Sequence, residues 1–374
     1  MIPLKKIRVL ETIRQGKVGG GETHVLDLVE ELDKERYEPV VLSFTDGPMV
    51  DRLARMGVRT HVIPTERPFD YTKWKEVKTL LQDEKIDVVH AHGTRANSNV
   101  FWPSKSLRLP LIYTVHGWSF HADQAPLIKL YRTLGEKFLL RNATQAVCVS
   151  LNNYKDGADR FNMQHACIIR NGINLSRFNP EVCQPDVRKE LGIGKETVLV
   201  GFVARMTIQK DPCTLLRALA RIPKEIDLRL LLIGEGDLQD ETVRLAHELE
   251  IEDRVIFSGF RQDVPAVLQA LDIYCLPSLW EGLPIGLLEA MAMENAVIAT
   301  AIDGTKEVIE HRVDGLLLPP QHPELLADAI HTLAMDKALR LTLARNARQK
   351  VVNHYNVQKM TRKVETLYQK VLLE

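Results

Sequence analysis

Short apolar runs alternate with amphipathic, helix-like segments along all 374 residues of this chain, and that alternation leaves few folds open. Strand, helix and strand, repeated without interruption, is the pattern of parallel α/β sheets. In the first half, strands are predicted at 7–13, 38–43, 59–63, 87–91, 111–115, 145–149 and 166–169. In the second half they are predicted at 198–204, 228–233, 255–258, 272–276, 296–300 and, with a weaker pattern, 315–318. Each half has enough βα units for one doubly wound, Rossmann-like sheet. The best linker is Asn179-Pro-Glu-Val-Cys-Gln-Pro-Asp186, polar and Pro-marked, so the expected domains are 1–182 and 183–356. A last helix at about 357–372 carries Met360, Val364, Leu367 and Val371 on one face, a stripe that it must bury somewhere.

Composition narrows the function. Lys and Arg number 49, as do Asp and Glu, so no strong field calls for a nucleic-acid partner. The five cysteines (Cys148, Cys167, Cys183, Cys213, Cys275) are scattered, several in strand-like runs, which points to buried thiols in a reducing compartment. The sequence begins without a long apolar h-region, and no apolar run approaches the ~20 residues of a membrane span. A cytoplasmic protein is expected.

The richest stretch is Glu281-Gly-Leu-Pro-Ile-Gly-Leu-Leu-Glu289, directly after the strand at 272–276. Pro284 suits the first turn of the following helix, where its missing N–H costs nothing. Strand, glycine-containing turn and helix make a βα corner whose first peptide N–H groups are unpaired and suit an anion. Glu281 lies in the turn. Glu289 lies inside the helix among Leu287, Leu288, Ala290 and Met291. A carboxylate there needs a partner, such as a sugar hydroxyl pair or a cation. The plain alternative is a solvated glutamate on an amphipathic helix.

Other corners carry chemistry of their own. Gly19, Gly20 and Gly21 follow the first strand and let the backbone approach a ligand. A dinucleotide fingerprint would need glycine where His24 stands, so NAD binding is not expected. His90 and His92 share one face of the fourth strand, but no third ligand is evident nearby and no metal is expected. Arg95 lies at the start of the next helix, a segment that either touches a ligand or simply caps. His116 ends the fifth strand with a glycine and aromatic residues after it, as a structural imidazole or a site residue. Segment 124–142 sets Leu127, Ile128, Leu130, Tyr131, Leu134, Phe138 and Leu139 among Lys129, Arg132, Lys137 and Arg141. That is a core-facing helix with a solvated basic side, or one that lies on an anionic membrane surface. Arg205 and Lys210, five apart on a βα loop, can converge on one dianion.

The Glu281/Glu289 stretch resembles the E-x7-E signature of the family 4 retaining glycosyltransferases. These have the GT-B fold: two doubly wound Rossmann-like domains facing across a cleft, with a C-terminal helix (here 357–374) crossing back to the first domain. The remaining motifs follow in the family's order. The Gly20-Gly21 loop is similar to the one that faces donor diphosphate and acceptor. Thr114-Val-His116 is similar to the segment whose His lies beside the transferred sugar. Asn171-Gly172, before Phe178 and Pro180, is similar to the segment closing the first domain. Arg205 and Lys210 match the pair that neutralises the leaving diphosphate, although Ala204 and Asp211 stand where the family pattern has glycine. The resemblance implies a donor site of Glu289 on the ribose hydroxyls, Glu281 on the donor sugar, and main-chain groups of Gly282, Leu283, Pro284 and Ile285 on sugar or diphosphate. It further implies Arg261 near the base, with Arg95, Trp118 and His121 as acceptor contacts. The sequence has no D-x-D pair, so a nucleotide-sugar transferase without a metal cofactor is expected, its donor a UDP- or GDP-type sugar. The acceptor would be a glycan or lipid-linked glycan of cell-surface polysaccharide assembly, with a position at the inner face of the membrane as one option. Alternatives within the fold are a nucleotide-sugar 2-epimerase or a non-catalytic sugar-nucleotide-binding module.

Overall fold

A computed structural model describes residues 5–16, 19–120 and 124–373. The chain divides into two compact units, the first running to Gly172 and resuming at Val357, the second being Ile173–Asn356. The division lies ahead of the expected 182/183 boundary, and the reason is local. Residues 179–186 are tied into the second unit: Arg348 donates to the Asn179 side chain, and Gln269 donates to the carbonyls of Pro180 and Val182.

The first unit is built on seven strands: β1 (Ile7–Ile13), β2 (Tyr37–Ser43), β3 (Arg59–Val62), β4 (Val88–His92), β5 (Leu111–Val115), β6 (Gln145–Cys148) and β7 (Ala166–Ile168). All pair in parallel, in the order β3-β2-β1-β4-β5-β6-β7. The second unit has six: β8 (Val198–Val203), β9 (Leu228–Ile233), β10 (Val255–Phe257), β11 (Ile273–Leu276), β12 (Ala296–Thr300) and β13 (Leu316–Leu318). Their order is β10-β9-β8-β11-β12-β13, again all parallel. Every strand read from the apolar runs is present, the weak one at 315–318 included.

Each sheet reverses direction once, between β1 and β4 in the first and between β8 and β11 in the second. Loops leave the carboxyl ends of those strands to opposite sides and open a crevice, which is where ligands of open α/β sheets bind. The helix Val357–Leu373 packs its stripe of Met360, Val364, Leu367 and Val371 against Val9, Leu28, Val88, Ile112 and Val147 of the first unit. Each such fully buried side chain is worth about 1.5–3 kcal/mol relative to exposure. Tyr368 lies on the same face, and its ring meets Tyr37 edge-on.

Candidate active site

The switch point of the second unit gathers the charged motif residues. β8 ends at Val203, and the loop after it carries Arg205, Gln209 and Lys210. β11 ends at Leu276, and Ser278 to Glu281 lead to a helix that starts at Ile285, one position later than expected, with Pro284 as its N-cap and not in its first turn. Gln209 knits the two loops together: its carbonyl accepts from Leu279 N at 2.8 Å, and its amide donates to the Trp280 carbonyl at 2.9 Å. Held in this way, Lys210 forms an ion pair with the Oε1 atom of Glu281, which also accepts from Ser278 Oγ at 2.7 Å. The pair is well covered, with the Lys210 side chain 17% exposed and that of Glu281 7%. Arg205 is exposed and makes no ion pair among the described residues.

Asp211 explains one departure from the family pattern. Its backbone is left-handed (φ 45°, ψ 55°), the conformation that usually selects glycine and that Asp tolerates best after Asn. Its carboxylate turns away from Lys210 and caps the next helix, accepting from Thr214 N at 3.2 Å and Thr214 Oγ1 at 2.6 Å. Gly234, after β9, shows the close packing of these loops. A side chain there would run into the carbonyl of Ala204, and its φ of +128° lies in glycine's range.

Glu289 is buried on the helix Ile285–Ala292. It lies near a group the sequence reading missed, Tyr274 on β11. The Tyr274 hydroxyl is pushed well above its ordinary pKa by burial first, then by the charges of Glu289 and Glu281. That hydroxyl sits directly under Gly286 and donates to the Val203 carbonyl at 3.4 Å. Gly282 is pinned from the other side, since a side chain on Gly304 would strike its carbonyl. Leu283, Pro284 and Ile285 are buried. Arg261 behaves differently from expectation. Its fork is filled by carboxylates, with Glu190 at 2.6 and 2.9 Å and Asp263 at 2.9 and 2.6 Å, and these bonds raise its pKa. The side chain braces the loop after β10.

The first unit presents a second cluster at its own switch point. β1 places Glu11 beside His90 of β4, and His92 follows two residues on with its side chain on the same face. Glu11 Oε2 lies 2.8 Å from His92 Nε2, and His92 Nδ1 lies 3.1 Å from His116 Nε2. The Tyr368 hydroxyl donates to Glu11 Oε1 at 2.5 Å and sits 2.7 Å from His90 Nδ1, while His90 Nε2 lies 2.7 Å from Thr114 Oγ1. Burial opposes the charge on Glu11, but His90 and His92 outweigh it and hold the carboxyl below the usual range. Burial pushes His24 down to about 3 and His92 to about 4, and it lowers His116 as well. These rings are neutral at physiological pH. His24, on the helix Gly20–Glu31, closes the group with ring centroids 5.3 Å from His92 and 5.0 Å from His116.

The sequence showed no third ligand beside His90 and His92; Glu11, His24 and His116 supply candidates. His24, His92 and His116, or Glu11, His90 and His92, bring ligand atoms within 4.8 Å of one another and could hold a cation. The hydrogen bonds named above already use most of the lone pairs such an ion would need. Gly21 packs under His116, a side chain there lying 3.8 Å from its ring, and Glu22 folds its carboxylate back over Gly19 at the start of the same helix, beside Gly20.

The acceptor candidates fare unequally. Trp118 is 6% exposed, donates to the Asn153 carbonyl and stacks on Phe120, so its ring builds the core and does not line a surface. The apolar cluster with Phe161 and Met163 draws it inward. Arg95 is partly exposed, with Arg14 near enough to lower its pKa after burial has done so. His121 lies outside the described residues.

Comparisons with known proteins agree with this geometry. The model of Glycosyltransferase Family 4 matches residues 18–177, and that of Glycosyl transferases group 1 matches residues 184–350. Among curated proteins, the chain is 26% identical over 378 residues to the UDP-Gal:alpha-D-GlcNAc-diphosphoundecaprenol alpha-1,3-galactosyltransferase of Escherichia coli, covering 97% of each. Among solved structures, Anabaena HepE in complex with UDP-glucose superposes with a TM-score of 0.87 at 24% identity, over 97% of this chain and 100% of that one. Sucrose-phosphate synthase of Thermosynechococcus elongatus gives 0.83 at 23%, over 98% and 100%. With two parallel-sheet units, GT-B neighbours and a family model on each half, the chain belongs to the family 4 glycosyltransferases.

Proposed function

We propose that the protein moves a sugar, with retention at the anomeric carbon, from a uridine-diphosphate sugar to a hydroxyl of a lipid-linked glycan in cell-surface polysaccharide assembly. The observation that carries this reading is the covered Lys210–Glu281–Ser278 cluster at the β8/β11 switch point, with Arg205 free on the same loop. Breaking the bond from C1 to the diphosphate leaves negative charge on the leaving group. Arg205, Lys210 and the N–H groups opening the helix at Ile285 are fixed positive partners for it, so no metal ion is required on the diphosphate. Glu281 orients hydroxyls of the donor sugar, and Glu289 holds the ribose. In front-side transfer the acceptor oxygen bonds to C1 on the face the phosphate leaves, and its proton passes to the departing phosphate oxygen. Uridine and a lipid diphosphate acceptor are favoured by the name of the Escherichia coli relative.

A membrane position is supported by the helix Pro126–Asn142. Leu127 is 80% and Tyr131 69% exposed, with Leu130, Leu134 and Phe138 exposed beside them. The helix has a single carboxylate, Glu136, and it is turned inward and buried, accepting from Thr94, Tyr113 and the Ser119 main chain. The outer face therefore carries Arg132, Lys137 and Arg141 with no anion, a complement to an anionic bilayer. Among the described residues no helix is long and apolar enough to cross a membrane.

Thermal unfolding with UDP, GDP and their sugars tests the donor, since a ligand at 100 times its Kd adds about 2.7 kcal/mol. Product anomers read by NMR test retention. Stabilisation by no nucleotide, or an inverted product, overturns the corresponding part. Sedimentation with phosphatidylglycerol against phosphatidylcholine vesicles tests the membrane face. Binding to the anionic vesicles that Leu127→Ser with Tyr131→Ser abolishes supports it, and absence of binding refutes it.

A further inference from the structure

We propose that Glu11 and His92 are positioning residues that fix His116 as a ring protonated at Nε2, with its Nδ1 lone pair turned outward as a hydrogen-bond acceptor for a substrate hydroxyl. This rests on the reading of His116 as the wall beside the transferred sugar. The argument proceeds from the buried end. Glu11 is fully enclosed and ionised, so it can only accept hydrogen bonds. On Oε1 it accepts from the Tyr368 hydroxyl; facing Oε2 are His92 Nε2 at 2.8 Å and, farther off, His90 Nδ1 at 3.2 Å. Since a bare nitrogen lone pair cannot face a carboxylate oxygen at 2.8 Å, the His92 proton sits on Nε2. A neutral imidazole with its proton on Nε2 has a bare lone pair on Nδ1. The neighbour of His92 Nδ1 is His116 Nε2, at 3.1 Å, so His116 donates there. Its own Nδ1 is then bare. That atom makes no hydrogen bond among the described residues and is not enclosed, and the ring is partly exposed.

The remaining neighbours are compatible with this alignment. His90 Nδ1 lies 2.7 Å from the Tyr368 oxygen and 3.2 Å from Glu11 Oε2, and its Nε2 lies 2.7 Å from Thr114 Oγ1. Because Tyr368 gives its proton to Glu11, its oxygen receives the His90 Nδ1 proton, and the shorter contact to Oε2 stays with His92. His24 approaches His116 edge-on and Gly21 packs beneath it, which fixes the plane of the ring. The consequence is a directional preference. His116 accepts from a hydroxyl and cannot donate to one from Nδ1. A carboxylate placed in one strand thus sets, through a second ring, the polarity of a surface group.

Histidine side-chain 15N–1H correlation spectra of the full chain at pH 7.5 test this, with the His116 signals assigned by their loss in His116→Gln. The expected wild-type state is His116 protonated at Nε2. In Glu11→Gln the amide can turn either its oxygen or its N–H toward His92, so the single proton position is no longer imposed and His92 and His116 should each show both tautomers. Turnover should fall about a hundred-fold while KM for the donor sugar stays nearly constant. If Glu11→Gln does not fold, His92→Phe removes the acceptor while filling the space, and His116 should then show both tautomers. An Nδ1-protonated His116 in the wild type, or an unchanged tautomer in either variant, overturns the proposal. A wild-type enzyme that turns over no donor sugar would instead overturn the reading of function, and the spectra would still judge the relay.

Discussion

Replacing Glu281 by Gln has two opposite consequences if the ion pair with Lys210 is a resting arrangement that the donor's diphosphate breaks. Lys210 has to leave Glu281 to neutralise the diphosphate, and leaving means giving up a charge-assisted hydrogen bond. Such bonds are worth about 1.5–3 kcal/mol. An amide oxygen still accepts from Lys210, so only the charged share is released, roughly 1–2 kcal/mol once the 17% exposure of Lys210 is allowed for. Glu281→Gln should therefore bind bare UDP about 5–30-fold more tightly. The same variant loses the carboxylate that orients the donor sugar, so turnover should fall. Calorimetric titration with UDP, beside turnover with the donor sugar, reads both signs in one protein. Weaker or unchanged UDP binding would refute the idea that the pair opens for the diphosphate.

Three further outcomes follow from the same geometry. Glu289→Ala should weaken UDP and the donor sugar alike, by about 2–3 kcal/mol, because a ribose contact is the same in ground and transition states; a loss confined to the sugar nucleotide in calorimetry would reverse the assignment of the two glutamates. Activity should survive EDTA, since Arg205 and Lys210 act as fixed cations; complete loss restored by Mg²⁺ or Mn²⁺ would reopen the histidine cluster as a metal site. Stability should fall on acidification: His24 and His92 are depressed to about 3 and about 4 from 6.5, so the unfolded chain takes up protons first. Their contribution is complete above about pH 6.5 and is lost as pH falls toward 4 and then 3, at up to about 1.4 kcal/mol per pH unit for each ring. Urea unfolding at pH 7.5, 6.0 and 5.0 measures it, and identical midpoints would contradict the buried neutral rings.

The fold was legible because both sheets are parallel and sandwiched. Their strands must be apolar through most of their length, and runs such as Leu228–Ile233 and Leu111–Val115 announce themselves. The domain boundary was less legible. Two prolines mark 179–186 as a poor place for a helix, but they do not say which unit its carbonyls bond to, and Gln269 and Arg348 decide that. Trp118 was misjudged for a related reason. An aromatic residue after a strand end suits a ligand wall or a core equally, and Phe161 and Met163, distant in sequence, draw it inward.

The two halves of the site differed in how much they showed. Around Glu281 the chemistry is local: Ser278 and Glu289 lie on the same βα corner, and Lys210 belongs to a motif of its own, so spacing along the chain nearly fixes the geometry. The histidine cluster is assembled from three strands, the helix Gly20–Glu31 and the final helix, and the bond from Tyr368 to Glu11 spans 357 residues. One signal was available. Glu11 is an ionisable residue inside the apolar strand Ile7–Ile13, and a buried carboxylate is tolerated only with partners. His90 and His92 were the obvious candidates, since a doubly wound sheet places β4 beside β1. Reading that adjacency from the topology, and not searching for a third ligand near His92 in sequence, would have found the pair. The helix Val357–Leu373 then acquires a second role. Its stripe buries apolar surface, and Tyr368, on the same face, carries a hydroxyl into the one place where Glu11 needs a donor. An apolar pattern predicts that such a helix docks, whereas the polar network it completes depends on which single residue of the stripe is a tyrosine.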